Sequence, residues 1–154
     1  MSTFFSFNPS LFSNQKRLQN ITQEKFLWHG TRSTAPDAIY KSKTGFDLRY
    51  SPGGMWGRGT YFAVNSSYSA GSYFYPVPQT NEKQLFYSCV LVGESVDLPH
   101  KKDVTSLITK PPVKENEKFV NDSYDSIKGN TGGSDIYIVY ELHMAYPQYL
   151  LTFE

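Results

Sequence analysis

A single cysteine, Cys89, excludes an internal disulfide and leaves no cysteine cluster to hold zinc. Histidine is nearly as scarce. His29, His100 and His143 lie far apart and none belongs to an HExxH-type pair, so the expectation is chemistry without a metal. Neither sign of charge is in excess: fifteen Lys and Arg against fourteen Asp and Glu leave a formal +1, which supplies no general attraction to nucleic acid or to an anionic membrane. Long apolar runs are missing too. The start, Met1-Ser2-Thr3-Phe4-Phe5, has neither the basic region nor the apolar stretch of a secretory signal, and no later run reaches membrane-spanning length. Cytosol or nucleus is the simplest compartment, with no membrane partner.

Aromatic residues are what the chain has in quantity. Twelve Tyr and eleven Phe supply large buried area per residue, offsetting a modest hydrophobic content of 39%. Its 154 residues fit one domain with one centre, and no repeat, low-complexity segment or linker divides it.

Local patterns predict a mostly β domain. Asn8-Pro9 followed by Leu11, Phe12 and Leu18 reads as a capped packing helix. Phe26 to His29 reads as a strand end broken by Gly30, and Pro36 to Tyr40 as a brief helix. From Gly45 to Gly59 the density of Gly and Pro resists regular structure and lets backbone lie close to a ligand. Thr60 to Ala63 resumes a strand, and Asn65-Ser66-Ser67 starts a helix leading through Tyr68 to Tyr73. Gln84 to Val92 alternates as a strand does. The polar stretch from His100 to Asn121 reads as a long loop, and Ile136 to Glu141 and Tyr146 to Phe153 as closing strands.

Three of these stretches carry the devices by which a dinucleotide is held: ribose hydrogen bonds, aromatic faces for a planar base, and glycine that permits close approach. They are Trp28-His29-Gly30-Thr31, Gly57-Arg58-Gly59-Thr60-Tyr61-Phe62-Ala63, and Ser67-Tyr68-Ser69 followed by Tyr73. His29 is placed to donate to a ribose hydroxyl, Gly30 and Ser69 to bond a carboxamide, and Tyr61 and Tyr73 to face a flat ring. Singly each residue has an ordinary reading: a strand-end histidine bonded to a carbonyl, packing tyrosines, a capping serine, a hairpin turn. Their order is what distinguishes them.

Together with Gly45-Phe46 and the ending Ala145-Tyr146-Pro147-Gln148-Tyr149-Leu150-Leu151-Thr152-Phe153, these motifs resemble the catalytic domain of the poly(ADP-ribose) polymerase superfamily, the diphtheria-toxin-like ADP-ribosyltransferases. The resemblance runs from about Asn8 to the C-terminus. Within the superfamily the chain is most similar to members that transfer single ADP-ribose units and, in Gly53-Gly54-Met55-Trp56-Gly57, to tankyrases. The resemblance implies an α+β fold, a split antiparallel sheet with short flanking helices, and NAD as co-substrate. His29 and Thr31 would then meet the adenosine-side ribose, with Gly30 and Ser69 on the nicotinamide carboxamide. Tyr61 would be the second member of the catalytic triad, flanked by Phe62 and Ala63. Tyr73 would stack on nicotinamide, with Tyr68 and Tyr75 as competitors. Asp47 to Trp56, including Gly54, would close over the adenosine and pyrophosphate.

The third triad position departs from the pattern, because Ile136 stands where chain-elongating members have glutamate. Isoleucine cannot polarise the hydroxyl of a growing polymer. The first transfer does not need that step, so the expectation is an NAD-dependent mono-ADP-ribosyltransferase that inverts the ribose centre and modifies a protein, itself included. Asp135 and Glu141 have the opposite parity to Ile136 and are expected on the other face. Lys101, Lys102, Lys110, Lys114 and Lys118 mark the loop where the family contacts acceptors and would favour acidic ones. Cys89 reads as a small buried apolar residue. Two rivals stand beside this reading: a non-catalytic module that binds NAD, ADP-ribose or a partner, and a transferase acting on nucleic-acid termini, which the near-neutral charge disfavours.

Overall fold

The computed structural model describes residues 3–4, 23–115 and 122–154. The helix expected from Asn8 to Leu18 lies outside these residues, as does Lys118. Among the described residues nine strands form one sheet: β1 (Thr3–Phe4), β2 (Glu24–His29), β3 (Thr60–Ala63), β4 (Tyr75–Pro76), β5 (Lys83–Leu91), β6 (Ser95–Asp97), β7 (Ser126–Thr131), β8 (Ser134–Val139) and β9 (Ala145–Phe153). Two short helices of the described residues, α1 (Asp37–Tyr40) and α2 (Ser66–Ser72), flank it. Among the described residues no helix is long and apolar enough to cross a membrane.

The sheet order is β1-β9-β5-β2-β3-β8-β7-β6, with β4 on β5. Every pairing among these strands is antiparallel except that of β6 with β7. The expected split is visible in one number: β2 and β3 are joined by a single residue pair, Trp28 with Ala63. Two half-sheets, β2-β5-β9 and β3-β8-β7, therefore diverge just past Trp28, and the chain leaving β2 opens a cleft between them.

Strand β8 shows why both faces of this sheet are filled. In an extended strand successive side chains alternate. Ile136 and Ile138, followed by Tyr140, enter one cluster with Trp56, Ala63 and Ile127. Tyr137 and Val139 enter the other with Leu27, Phe46, Phe62 and Phe86. The run Ile136-Tyr137-Ile138-Val139-Tyr140 is thus apolar throughout because it is covered on both sides.

Several of the described elements differ from the sequence reading. The loop from Gly45 to Gly59 contains a 3₁₀ turn, Leu48–Tyr50, capped by the Asp47 carboxylate, which accepts from the Arg49 amide at 2.9 Å. The stretch after His100 holds a second such turn, Thr105–Leu107. Strands β6 and β7 were unforeseen; β7 is Ser-Ile-Lys-Gly-Asn-Thr, poor in strand formers, and its place is fixed by pairing with β8.

Candidate active site

The cleft opened by the split has a volume of about 710 Å³, and every residue expected to bind or act lines it: His29, Gly30, Thr31, Gly54, Tyr61, Phe62, Ala63, Ser69, Tyr73 and Ile136. They reach it by different routes.

His29 is the last residue of β2, where ladder pairing with β3 has just failed. Its ring fills the gap. Nδ1 lies 2.7 Å from the Tyr61 carbonyl oxygen, an acceptor only, so Nδ1 carries the proton and Nε2 is left as an acceptor. This revises the expected polarity: Nε2 faces a ligand as an acceptor and not as a donor. The ring is boxed by Phe62 at 5.2 Å and Phe46 at 4.9 Å. Burial lowers its pKa to about 4, outweighing the Tyr61 carbonyl, which raises it. The imidazole is neutral at neutral pH.

A pH dependence of stability follows. Unfolded, the ring binds a proton near its ordinary 6.5; folded, it binds one only near 4. The stabilisation is therefore complete above 6.5 and is lost as pH falls from 6.5 to 4, with an upper magnitude of about 3 kcal/mol. Asp47, held near 2 by the Arg49 side chain, titrates below that window. Urea midpoints compared between about pH 7 and about pH 4.5 are expected to fall more for the wild type than for His29→Gln; equal falls would refute the assignment.

Gly30 follows, and its lack of a side chain has a packing cause. A Cβ there would lie 2.0 Å from the Tyr73 carbonyl oxygen, where the end of α2 presses on the exit of β2. That same carbonyl accepts from the Arg32 amide at 3.0 Å. Thr31 closes the turn by donating its hydroxyl to the Thr34 carbonyl at 2.6 Å.

Tyr61, Ala63 and Ile136 share one face, since Ala63 pairs with Ile136 and Tyr61 with Ile138. Tyr61 does not present a free hydroxyl. It donates to the Gly57 carbonyl at 2.8 Å and accepts from the Trp56 amide at 2.9 Å, leaving one acceptor position for a ligand. Desolvation pushes its pKa up to about 12. Phe62 belongs to the cluster with Leu27, Phe46 and Phe86 and is fully buried, and its ring backs His29. Ala63 is buried in the opposite cluster.

Ser69 sits inside α2, where it is buried; the cap position belongs to Asn65, whose amide group instead donates to the Gly133 carbonyl at 2.9 Å. Tyr73 ends the helix and stacks on Tyr68 at 5.1 Å with rings 23° apart and hydroxyls 3.1 Å apart. Both line the cleft, whereas Tyr75 lies in β4 and does not. Of the two competitors for the stacking position, Tyr68 alone is in place.

Sequence reasoning missed Arg32, and it placed Asp47 and Arg49 in the covering loop without giving either a role of its own. Arg32 holds its guanidinium 4.5 Å from the centre of the Tyr73 ring. Asp47 is clamped by Arg49, whose Nε lies 3.0 Å from both carboxylate oxygens. The Asp-x-Arg spacing after Gly45-Phe46 was the available signal. Among the described residues Asp47 is the only carboxylate lining the cleft, and this ion pair occupies it. Asp135 faces away, as its parity required, and pairs with Lys128 at 3.2 Å and Asn130 at 2.7 Å. Glu141 lies beyond the end of β8 and outside the lining.

Two expectations about other side chains change. Lys114 is neutralised by Glu94 at 2.7 Å and Asp122 at 3.1 Å, leaving Lys101, Lys102 and Lys110 as the exposed lysines of that loop among the described residues. Cys89 is half-buried and not fully enclosed; burial, with the Glu24 carboxylate beside it, pushes its thiol up to about 11, away from nucleophilic character. Among the described residues no cluster of His, Cys, Asp or Glu is arranged to hold a metal ion.

With this geometry in hand, comparison with known proteins decides the family. The Poly(ADP-ribose) polymerase catalytic domain matches residues 8–154. The chain belongs to that family. Its split sheet is the family's α+β ADP-ribosyltransferase fold. A probable poly [ADP-ribose] polymerase of Dictyostelium discoideum is 38% identical over 95% of this chain and 42% of its own length. Human protein mono-ADP-ribosyltransferase PARP14 is 33% identical over 84% of this chain and 7% of its own length. Mouse PARP12, also named a protein mono-ADP-ribosyltransferase, is 32% identical over 84% and 17%. The chain thus spans less than half of each relative.

Proposed function

We propose that this domain is an NAD-dependent mono-ADP-ribosyltransferase that cleaves the nicotinamide–ribose bond and passes one ADP-ribose to a carboxylate of a protein, itself included. The observation that carries the reading is Ile136. It is 1% exposed, paired with Ala63 on the Tyr61 face of the cleft, and it brings an apolar side chain to the position where an elongating enzyme needs a base.

In this reading the Nε2 lone pair of His29 accepts from the adenosine-side ribose. Gly30 and Ser69 hold the carboxamide, and the Tyr68–Tyr73 pair offers its face to nicotinamide. Arg32 and Arg49 stand near the pyrophosphate, where their positive charge is favourable. The C–N bond to nicotinamide breaks with its electron pair leaving on nicotinamide, and positive charge develops at the ribose carbon. A bond then forms between that carbon and the acceptor oxygen. Neutral His29 and the clamped Asp47 carboxylate are poor candidates to deprotonate a hydroxyl or an ammonium. An acceptor that arrives ionised, a glutamate or aspartate carboxylate, needs no proton removed.

Incubation with labelled NAD tests this by intact mass. One ADP-ribose per modified site, released by mild base as an ester is, is the expected product. A ladder of polymer would overturn single transfer. No label, with NAD analogues still raising Tm, would leave a binding module in its place.

A further inference from the structure

The Gly54–Gly57 turn forms one wall of the cleft, and its backbone is held from several sides. Gly54 and Gly57 exchange amide and carbonyl bonds at 2.9 and 3.0 Å. The Met55 carbonyl accepts from the buried Thr105 hydroxyl at 2.6 Å. The Trp56 amide donates to the Tyr61 hydroxyl at 2.9 Å, and the Trp56 carbonyl accepts from the Tyr140 hydroxyl at 2.5 Å. Two tyrosines thus grip the two polar backbone groups of one residue.

Tyr61 lines the cleft, whereas Tyr140 lies outside it, buried at the end of β8. The turn and the Tyr61 ring are also in direct contact, since a Cβ on Gly54 would lie 2.9 Å from the Tyr61 Cζ and Oη. Any shift of the Trp56 peptide therefore moves the Tyr61 hydroxyl. The indole of Trp56 has its own anchor, a 2.8 Å bond from Nε1 to the Leu98 carbonyl, and its ring fills the space a Cβ on Gly129 would need. The side chain stays fixed while the peptide depends on the tyrosines.

We propose that Tyr140 is a positioning residue for the cleft: by holding the Trp56 carbonyl it fixes the Gly54–Gly57 turn and, through that turn, the orientation of Tyr61. The assignment rests on the reading of the cleft as a dinucleotide site. Without the bond, the turn samples other arrangements and only the fraction in the gripping arrangement binds NAD, so apparent affinity falls by that fraction. Once NAD is bound the turn is ordered in ground and transition states alike, and turnover is preserved.

The test is Tyr140→Phe, which keeps the ring packed against Gly59 and removes only the hydroxyl. KM for NAD is expected to rise about tenfold with kcat within about twofold of wild type. Amide exchange at Trp56 is expected to quicken by at least about tenfold while the β5 amides stay protected. Thr105→Val, which frees the Met55 carbonyl of the same turn, is expected to raise KM in the same sense. A merely structural role would lower Tm and the active fraction and leave KM unmoved; that result overturns the proposal, as does unchanged exchange at Trp56. If Tyr140→Phe does not fold, an unchanged KM in Thr105→Val overturns it. The wild type is a separate arm: absence of both turnover and any rise of Tm with NAD defeats the dinucleotide reading, and exchange at Trp56 then decides for or against the clamp alone.

Discussion

Replacing His29 by alanine is expected to reduce ADP-ribose transfer by about a hundredfold or more, because two functions leave with one ring. The first is the Nε2 acceptor in the cleft; a ribose hydroxyl enclosed there without an acceptor keeps its desolvation cost and gains no bond in return. The second is the bond to the Tyr61 carbonyl, the side-chain substitute for a ladder bond at the place where the half-sheets part. Its removal leaves that carbonyl without its donor and a void beside Phe46 and Phe62. Destabilisation of about 2 kcal/mol is expected from these two effects.

The effects separate experimentally. His29→Gln keeps polar atoms near Tyr61 yet lacks the ring, so its stability is expected to lie between wild type and alanine while its transfer stays low. Labelled-NAD transfer and Tm measured on all three proteins check this. Full labelling by folded His29→Ala would remove His29 from the machinery.

The legibility of this site in the sequence was uneven, and for physical reasons. Strand β8 could be read because five consecutive apolar residues leave few alternatives, and parity alone placed Asp135 away from the cleft. His29, Tyr61 and Ile136 were named from the motifs shared with the ADP-ribosyltransferases, and each lies on a strand that borders the cleft. The hydroxyl partners of Tyr61 could not be read: they are backbone groups of a turn whose path is set by Thr105, Tyr140 and Ile108, up to 84 residues away in sequence. Strand β7 was hidden for a similar reason. Its Gly129 weakens any local strand signal, yet that glycine is what admits the Trp56 ring. Long-range packing, invisible to periodicity, decided both.

Ile136→Glu is expected to yield a less stable enzyme that still makes no polymer. The side chain at this position is 1% exposed and belongs to a buried apolar cluster with Trp56, Ala63, Ile127, Ile138 and Tyr140, against which Tyr61 and Tyr68 pack. A carboxylate needs donors, and the Tyr61 hydroxyl proton is already committed to the Gly57 carbonyl. Taking it would break the grip on the Trp56 turn. The charge is therefore poorly compensated, at a cost of about 3 kcal/mol or more, and the carboxyl pKa is expected to rise. The sign of the pH effect follows: a raised folded pKa means the folded state holds its proton longer. The deficit against wild type is then small at acid pH and grows as pH rises through the shifted value. A carboxyl that stays protonated near neutrality is a poor base for a ribose hydroxyl, and a relaxed Tyr61 would orient that hydroxyl badly. Melting curves across pH, beside a gel of labelled product, check both halves. Long polymer from this single change would show that the isoleucine alone blocks elongation, and a deficit independent of pH would show that the new carboxyl reaches solvent.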